Sequence, residues 1–206
     1  ITALYSRFDE DPIGSASVAQ VYHATTLDGA DVAVKVLRPG VREKFTADSA
    51  TYEWAAAHLE AMGAEAARLR PRMVIANFKR WTMNELDLRR EAASASELAE
   101  AATALTGYAV PAIDWERTCG SVMTLEWIDG IKIADRAALI AAGHDVKLLA
   151  SRLVNAFLRQ AISDGFFHAD MHQGNLLVRA VGTITAIDFG IMGRINRKAR
   201  SWLAEI

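Results

Sequence analysis

Lys35 stands in the middle of an alternating run, Asp31 to Leu37, in which Val32, Val34 and Val36 share one face and Ala33, Lys35 and Leu37 the other. Residues beside Val and Leu in such a strand are usually at least half buried, and a buried ammonium without an anion is costly. The fold must therefore bring an acidic group to Lys35. Ser17 to Thr26 also suits a strand, and Asp28-Gly29 supplies a tight turn, so the two runs read as a hairpin.

Candidate anions follow at once. Pro39-Gly40 ends the strand, and two long helical segments are expected, Val41 to Arg70 with a break near Gly63, and Arg72 to Ala102, separated by Pro71. The second carries Asp87 and Glu91 four apart on one face, with Glu85 nearly opposite Asp87. Glu91 is the first choice of partner for Lys35 and Glu85 the second. Trp54, Ala56, Leu59 and Met62 of the first segment read as helix core. Pro111 to Trp115 and Ser121 to Trp127 read as strands, and Asp129-Gly130 breaks the latter. Asp145 can cap a helix running to about Asp164, with Val146, Leu149, Leu153, Ala156 and Phe157 as its apolar stripe and Gly165 as its stop. A polar loop from His168 to Asn175, short strands Leu176 to Val178 and Thr183 to Ile187, and Asp188-Phe189-Gly190 complete an α+β order without repeats.

Composition narrows the classes of function. A chain of 206 residues suits one moderate domain or two small lobes sharing a cleft. The apolar fraction is 51%, but 38 of those residues are alanines, which favour helix and bury little area each. The net charge is 23 − 25 = −2 with no long single-sign block, so a nucleic-acid partner is not expected. Cys119 is the only cysteine, which excludes an internal disulfide and a cysteine-based zinc site and fits a reducing, cytosolic setting. The uncharged stretch Ala101 to Ile113 is too short for a bilayer and contains Gly107 and Pro111. With Ile1 at its start and a helical pattern still running at Ile206, the chain reads as a fragment.

The polar loop carries the chemistry. His168, Asp170 and Asn175 have the spacing H-x-D-x-x-x-x-N, and Asp188-Phe189-Gly190 begins thirteen residues after Asn175. With Val32-Ala33-Val34-Lys35 upstream, these are three protein-kinase motifs in kinase order. Triphosphate chemistry requires these residue types: hard oxygen ligands for Mg²⁺, a cation for the phosphates, and a separate carboxylate to take a proton or place a nucleophile.

The chain resembles the UbiB family of atypical, protein-kinase-like proteins along nearly its whole length. Pro12 to Val21 is similar to that family's alanine-rich loop and following strand. Glu85-Leu86-Asp87 with Arg89-Arg90-Glu91-Ala92 is similar to its E-x-D and R-E-A signatures, and Gly165 to Asp170 with Gly174-Asn175 to its G-F-F-H-A-D-x-H-x-G-N loop. The resemblance implies a two-lobed protein-kinase-like fold truncated in the C-terminal lobe. Residues 1–128 would form an N-lobe of small antiparallel sheet plus helices, and 129–206 a partial C-lobe with the catalytic loop and D-F-G. It also implies ATP and Mg²⁺ as cofactors. Gly14, Ser15, Ala16 and Ser17 would cover the phosphates, with Ala33 and Glu85 also at the nucleotide site, and Lys35 would pair with the phosphates and with Glu91. Glu126 to Ile128 would be the hinge against the adenine, Asp170 the catalytic carboxylate, and Asn175 with Asp188 the magnesium ligands.

The same resemblance implies kinase or ATPase activity in or regulating ubiquinone biosynthesis. Lipid quinone precursors and membrane-bound biosynthetic enzymes would be the partners, and the cytoplasmic face of the inner membrane the location, reached peripherally or through segments outside this chain. Residue spacing carries none of the quinone connection. The chain departs from the family at Gly14, where alanine is common, and at Met171 and Gln173, where many members have proline. The family's K-x-G-Q segment would lie upstream of Ile1, with Asp87 a candidate to meet its lysine. No A-P-E follows Gly190, so the usual platform for a peptide substrate is missing or replaced.

Alternative readings use the same residues. A small-molecule phosphotransferase of the aminoglycoside or choline kinase type shares H-x-D-x-H-x-x-N, but V-A-V-K and R-E-A speak against it; a non-catalytic nucleotide-binding scaffold is the other rival. A metal site of His168, Asp170 and His172 would leave Asn175 and Asp188 without a role. Arg194, Arg197, Lys198 and Arg200, with Trp202, Leu203 and Ile206, read as an amphipathic helix packing on the domain or favouring an anionic membrane surface.

Overall fold

The computed structural model describes residues 1–204, with side chains through Trp202. The parts expected of Leu203 and Ile206 in a basic helix lie outside the described side chains. In chain order the elements are β1 (Tyr5–Phe8), β2 (Gly14–Ser15), β3 (Ala19–Thr26), β4 (Asp31–Leu37), α1 (Val41–Ala61), α2 (Ala64–Arg68), α3 (Pro71–Glu85), α4 (Leu88–Ala102), β5 (Tyr108–Ala109), β6 (Ile113–Cys119) and β7 (Val122–Glu126). There follow β8 (Ile131–Lys132), α5 (Arg136–Ala141), α6 (Val146–Leu158), a π-helical turn (Arg159–Asp164), β9 (Phe166–His168), a 3-10 turn (Gln173–Asn175), β10 (Leu176–Val178), β11 (Ile184–Ala186), β12 (Met192–Arg194) and α7 (Arg197–Ala204).

The first sheet has the order β1-β3-β4-β7-β6, with β2 folded onto β3. One face of β4 buries Val32 and Val34 against Tyr5 and Ala24. On the other side Leu37, with Ala19, Met123 and Leu125, packs on Leu86, Leu88 and Ala92. The second sheet, β5-β11-β10-β8, rests on a core containing Leu98, Leu139, Leu149 and Phe189, and β9 pairs separately with β12. The helix α4 belongs to both cores. Its buried residues Leu88, Glu91, Ala92, Ala95, Leu98 and Ala102 fall at three- and four-residue intervals, so one stripe faces inward along its length. Glu91 is the carboxylate in that stripe.

The segment expected as one helix from Arg72 to Ala102 is two helices, divided at Leu86 and Asp87. Asp87 has extended backbone and caps α4, its side chain accepting from the Arg89 amide at 3.2 Å. Asp87 and Glu91 therefore do not share a continuous helical face. Trp54, Leu59 and Met62 are 64%, 43% and 80% exposed, and of the four expected core positions only Ala56 is buried. Among the described residues no neighbouring element covers these three side chains. The helix from Asp145 changes its hydrogen bonding before Gly165, whose amide bonds the carbonyl of Gln160 at 2.8 Å.

Gly193 shows how closely the short β9–β12 pair is packed. It lies opposite Phe167, and a Cβ built there would stand 2.3 Å from the ring. Gly193→Ala should destabilise the domain by about 1–3 kcal/mol through overpacking, read as a lowered urea midpoint with an unchanged slope.

Candidate functional site

Three motifs meet at one ammonium. Strand register places Lys35 between Val21 and Met123, and its Nζ lies 2.6 Å from Oε1 of Glu91 and 3.6 Å from Oδ1 of Asp188. The Lys35 and Glu91 side chains are only 11% and 9% exposed, so the cost of burying either charge is offset by the other. The same Glu91 oxygen accepts the backbone N–H of Phe189 at 3.3 Å, joining helix α4 to the D-F-G segment. Glu85 ends α3, is exposed, and has no ion pair among the described residues; Lys35 reaches Glu91 instead. Asp87 is engaged with its own Arg89 guanidinium at 2.7 Å.

Burial alone would lower the Lys35 pKa, but Glu91 and Asp188 outweigh it and hold the value above 10.5. Burial would likewise raise Asp188, yet Lys35 and the Gly190 amide, 3.0 Å from Oδ1, hold it below 3.8. A raised lysine stabilises the fold fully below its unfolded pKa and loses that contribution as pH rises through the folded value; a depressed aspartate loses its contribution as pH falls through its folded value. Both contributions are thus present at neutral pH. In a series of thermal melts carried past pH 10.5, the wild type should show an alkaline loss of stability that Lys35→Met lacks.

The polar loop is held from beneath by His168, which is 1% exposed. Its Nδ1 accepts the Asp170 amide at 3.2 Å, so Nε2 carries the proton and donates to the Asp188 carbonyl at 2.5 Å. Both ring nitrogens are used, which rules His168 out of the two-histidine metal site. Among the described residues no three His, Cys, Asp or Glu side chains are grouped to hold a metal. Fully buried Gln160 accepts the His168 amide at 3.2 Å through Oε1. His172 is exposed and caps the 3-10 turn.

Asn175 donates its amide nitrogen to the Asp170 carbonyl at 3.3 Å and carboxylate at 3.4 Å. Among the described residues no donor reaches the Asn175 amide oxygen, and Asn175 and Asp188 line the same cavity. One amide and one carboxylate oxygen fit Mg²⁺, which keeps waters and takes phosphate oxygens to complete six ligands.

Two cavities join at Lys35 and Asp188. The first, about 390 Å³, is lined by Gly14, Ser15, Ala16, Ala33, Glu126, Ile128 and Asn175, with Met123, Leu125, Leu177 and Ile187 as apolar surface. The second, about 560 Å³, is lined by Ser17, Glu85, Glu91 and Asp170, with Trp81, Arg90 and Met192. Every residue expected at the nucleotide site lines one of them. Others carried no sequence signal. Arg179 reaches across from the end of β10 to Glu126 at 2.8 Å and to Thr185 at 3.2 Å, and Arg38 binds the loop after β2. Such contacts between distant segments leave no periodic trace.

A family profile described as the ABC1 atypical kinase-like domain matches residues 1–206. A protein named "Probable protein kinase UbiB" from Marinobacter nauticus is 42% identical over 208 residues, covering 99% of this chain and 38% of the relative. Proteins of that name from Xylella fastidiosa and Pseudomonas fluorescens are 38% and 39% identical, covering 100% and 99% of this chain and 38% and 39% of their own lengths. The chain thus spans less than two fifths of these relatives. Among solved structures, the erythromycin complex of Rv3197 from Mycobacterium tuberculosis matches with a TM-score of 0.70 and 28% identity, over 92% of this chain and 47% of that one. The Rio2 kinase ADP/Mg²⁺-phosphoaspartate complex from Chaetomium thermophilum matches with a TM-score of 0.56 and 15% identity, over 95% and 52%. The fold is a two-lobed kinase-like fold, and the chain belongs to the ABC1 atypical kinase-like family, to which the UbiB proteins are its relatives.

Proposed function

We propose that this domain binds Mg²⁺-ATP between its lobes, 1–128 and 129–206, and transfers the γ-phosphoryl group to an acceptor hydroxyl or to water. The observation that carries the reading is the meeting of Lys35, Glu91 and Asp188 at the junction of two cavities, one lined by Asn175 and the other by Asp170. In this reading the adenine lies against Glu126 to Ile128, and Lys35 binds the phosphates while Glu91 holds its ammonium in place. Asn175 and Asp188 hold Mg²⁺, which when bound neutralises phosphate charge. The acceptor oxygen forms a bond to the γ-phosphorus, the bond to the β–γ bridging oxygen breaks, and ADP leaves. The proton of the acceptor passes to the Asp170 carboxylate, whose position Asn175 fixes by its 3.4 Å hydrogen bond.

Kinship with the UbiB proteins supports a role in ubiquinone biosynthesis, with lipid quinone precursors and membrane-bound enzymes as partners at the cytoplasmic face of the inner membrane. No helix among the described residues is long and apolar enough to cross a membrane, so on this reading contact with the bilayer is peripheral or made by other segments. The test is phosphate release from ATP by the purified protein, with and without Mg²⁺, quinone-precursor mimics and liposomes. Release that requires Mg²⁺ and rises with the additions is expected. Release unaffected by chelation would overturn the metal assignment, no release under any condition would favour a nucleotide-binding scaffold, and release indifferent to both additions would count against the quinone role.

A further inference from the structure

We infer that Arg38 is a positioning residue that holds the loop between β2 and β3 in its anion-binding form; this rests on the nucleotide reading above. Arg38 follows the last residue of β4 and meets the loop through four hydrogen bonds. Its backbone N–H donates to the Val18 carbonyl at 2.8 Å. Its guanidinium donates to the Ser15 hydroxyl at 2.6 Å and twice to the Ala16 carbonyl, at 3.2 and 3.3 Å.

The consequence lies across the Ala16–Ser17 peptide, which carries the bonded Ala16 carbonyl on one side and the Ser17 amide on the other. With the Ala16 carbonyl held by the guanidinium and the Ala16 amide bonded to the Ala19 carbonyl at 2.9 Å, the Ser17 amide points away from Arg38, and neither it nor the Val18 amide next to it has an acceptor among the described residues. Ser17 and Val18 line the cavity that also holds Lys35, Asp170 and Asp188. Consecutive free N–H groups at such a turn form a concave anion site, and a planar guanidinium can span a hydroxyl and a carbonyl at once. Arg38 touches no phosphate; it fixes the peptide whose amide, beside that of Val18, is left free for one.

The test measures Mg²⁺-ADP affinity and dissociation rate, together with nucleotide-free melting, for wild type, Arg38→Ala, Arg38→Lys and Ser15→Ala. Arg38→Ala should weaken binding about tenfold, chiefly through faster dissociation, and leave nucleotide-free melting within about 2 °C of wild type. Arg38→Lys should recover part of the loss. Ser15→Ala should lose less than Arg38→Ala, because the contacts to the Ala16 carbonyl remain. Wild-type affinity in Arg38→Ala would overturn this inference alone, and so would a loss of affinity matched by a large drop in nucleotide-free melting. Failure of the wild type to bind Mg²⁺-ADP would overturn the nucleotide reading and this inference with it.

Discussion

Asp170→Asn is expected to bind Mg²⁺-ADP about as well as the wild type while releasing phosphate about 10²–10⁴ times more slowly. The substitution keeps the size of the side chain and an oxygen that can accept from the Asn175 amide, so the loop should keep its shape. It removes the group proposed to take the proton. Asp188→Asn should behave differently. That carboxylate lies 3.6 Å from Lys35 and is a proposed metal ligand, so its loss should weaken nucleotide binding itself. A wild-type rate of phosphate release in Asp170→Asn would sink the catalytic assignment.

Lys35→Ala should be among the most destabilising single changes in the domain. It leaves Glu91 buried with the Phe189 amide as its remaining donor, and breaking a buried pair from one side costs about 3–5 kcal/mol. For a domain of this size each kcal/mol moves the melting temperature by about 2–4 °C, so a fall on the order of 10 °C is expected. Lys35→Met combined with Glu91→Gln should lose less than the sum of the two single changes, because the double variant strands no charge. Melting of Lys35→Ala within about 2 °C of wild type would show that the buried pair does not stabilise the domain as its geometry implies.

The part of the site legible in the sequence was the part where polar residues break an apolar pattern. Lys35 interrupts a valine strand, and the run from His168 to Asn175 interrupts an otherwise apolar stretch, so each announced a need for polar partners. The choice between Glu85 and Glu91 depended on a local event, the Asp87 cap, which ends one helix and starts another in a new direction. Periodicity read across that point assigned faces to a helix that does not exist as one piece. Trp54, Leu59 and Met62 showed the opposite difficulty: helical spacing was correct, but it does not say whether another surface arrives to cover them. Arg38, Gln160 and Arg179 act through backbone carbonyls, a backbone amide or a carboxylate many residues away, and no spacing rule reaches such contacts.

A crystal structure of the protein grown with Mg²⁺ and a non-hydrolysable ATP analogue would show whether nucleotide and metal meet at Lys35. The triphosphate is expected at the junction of the two cavities, with Lys35 on its oxygens and a metal ion bound by Asn175 and Asp188. A nucleotide bound elsewhere, or Lys35 and Glu91 still paired with no phosphate near either, would contradict it.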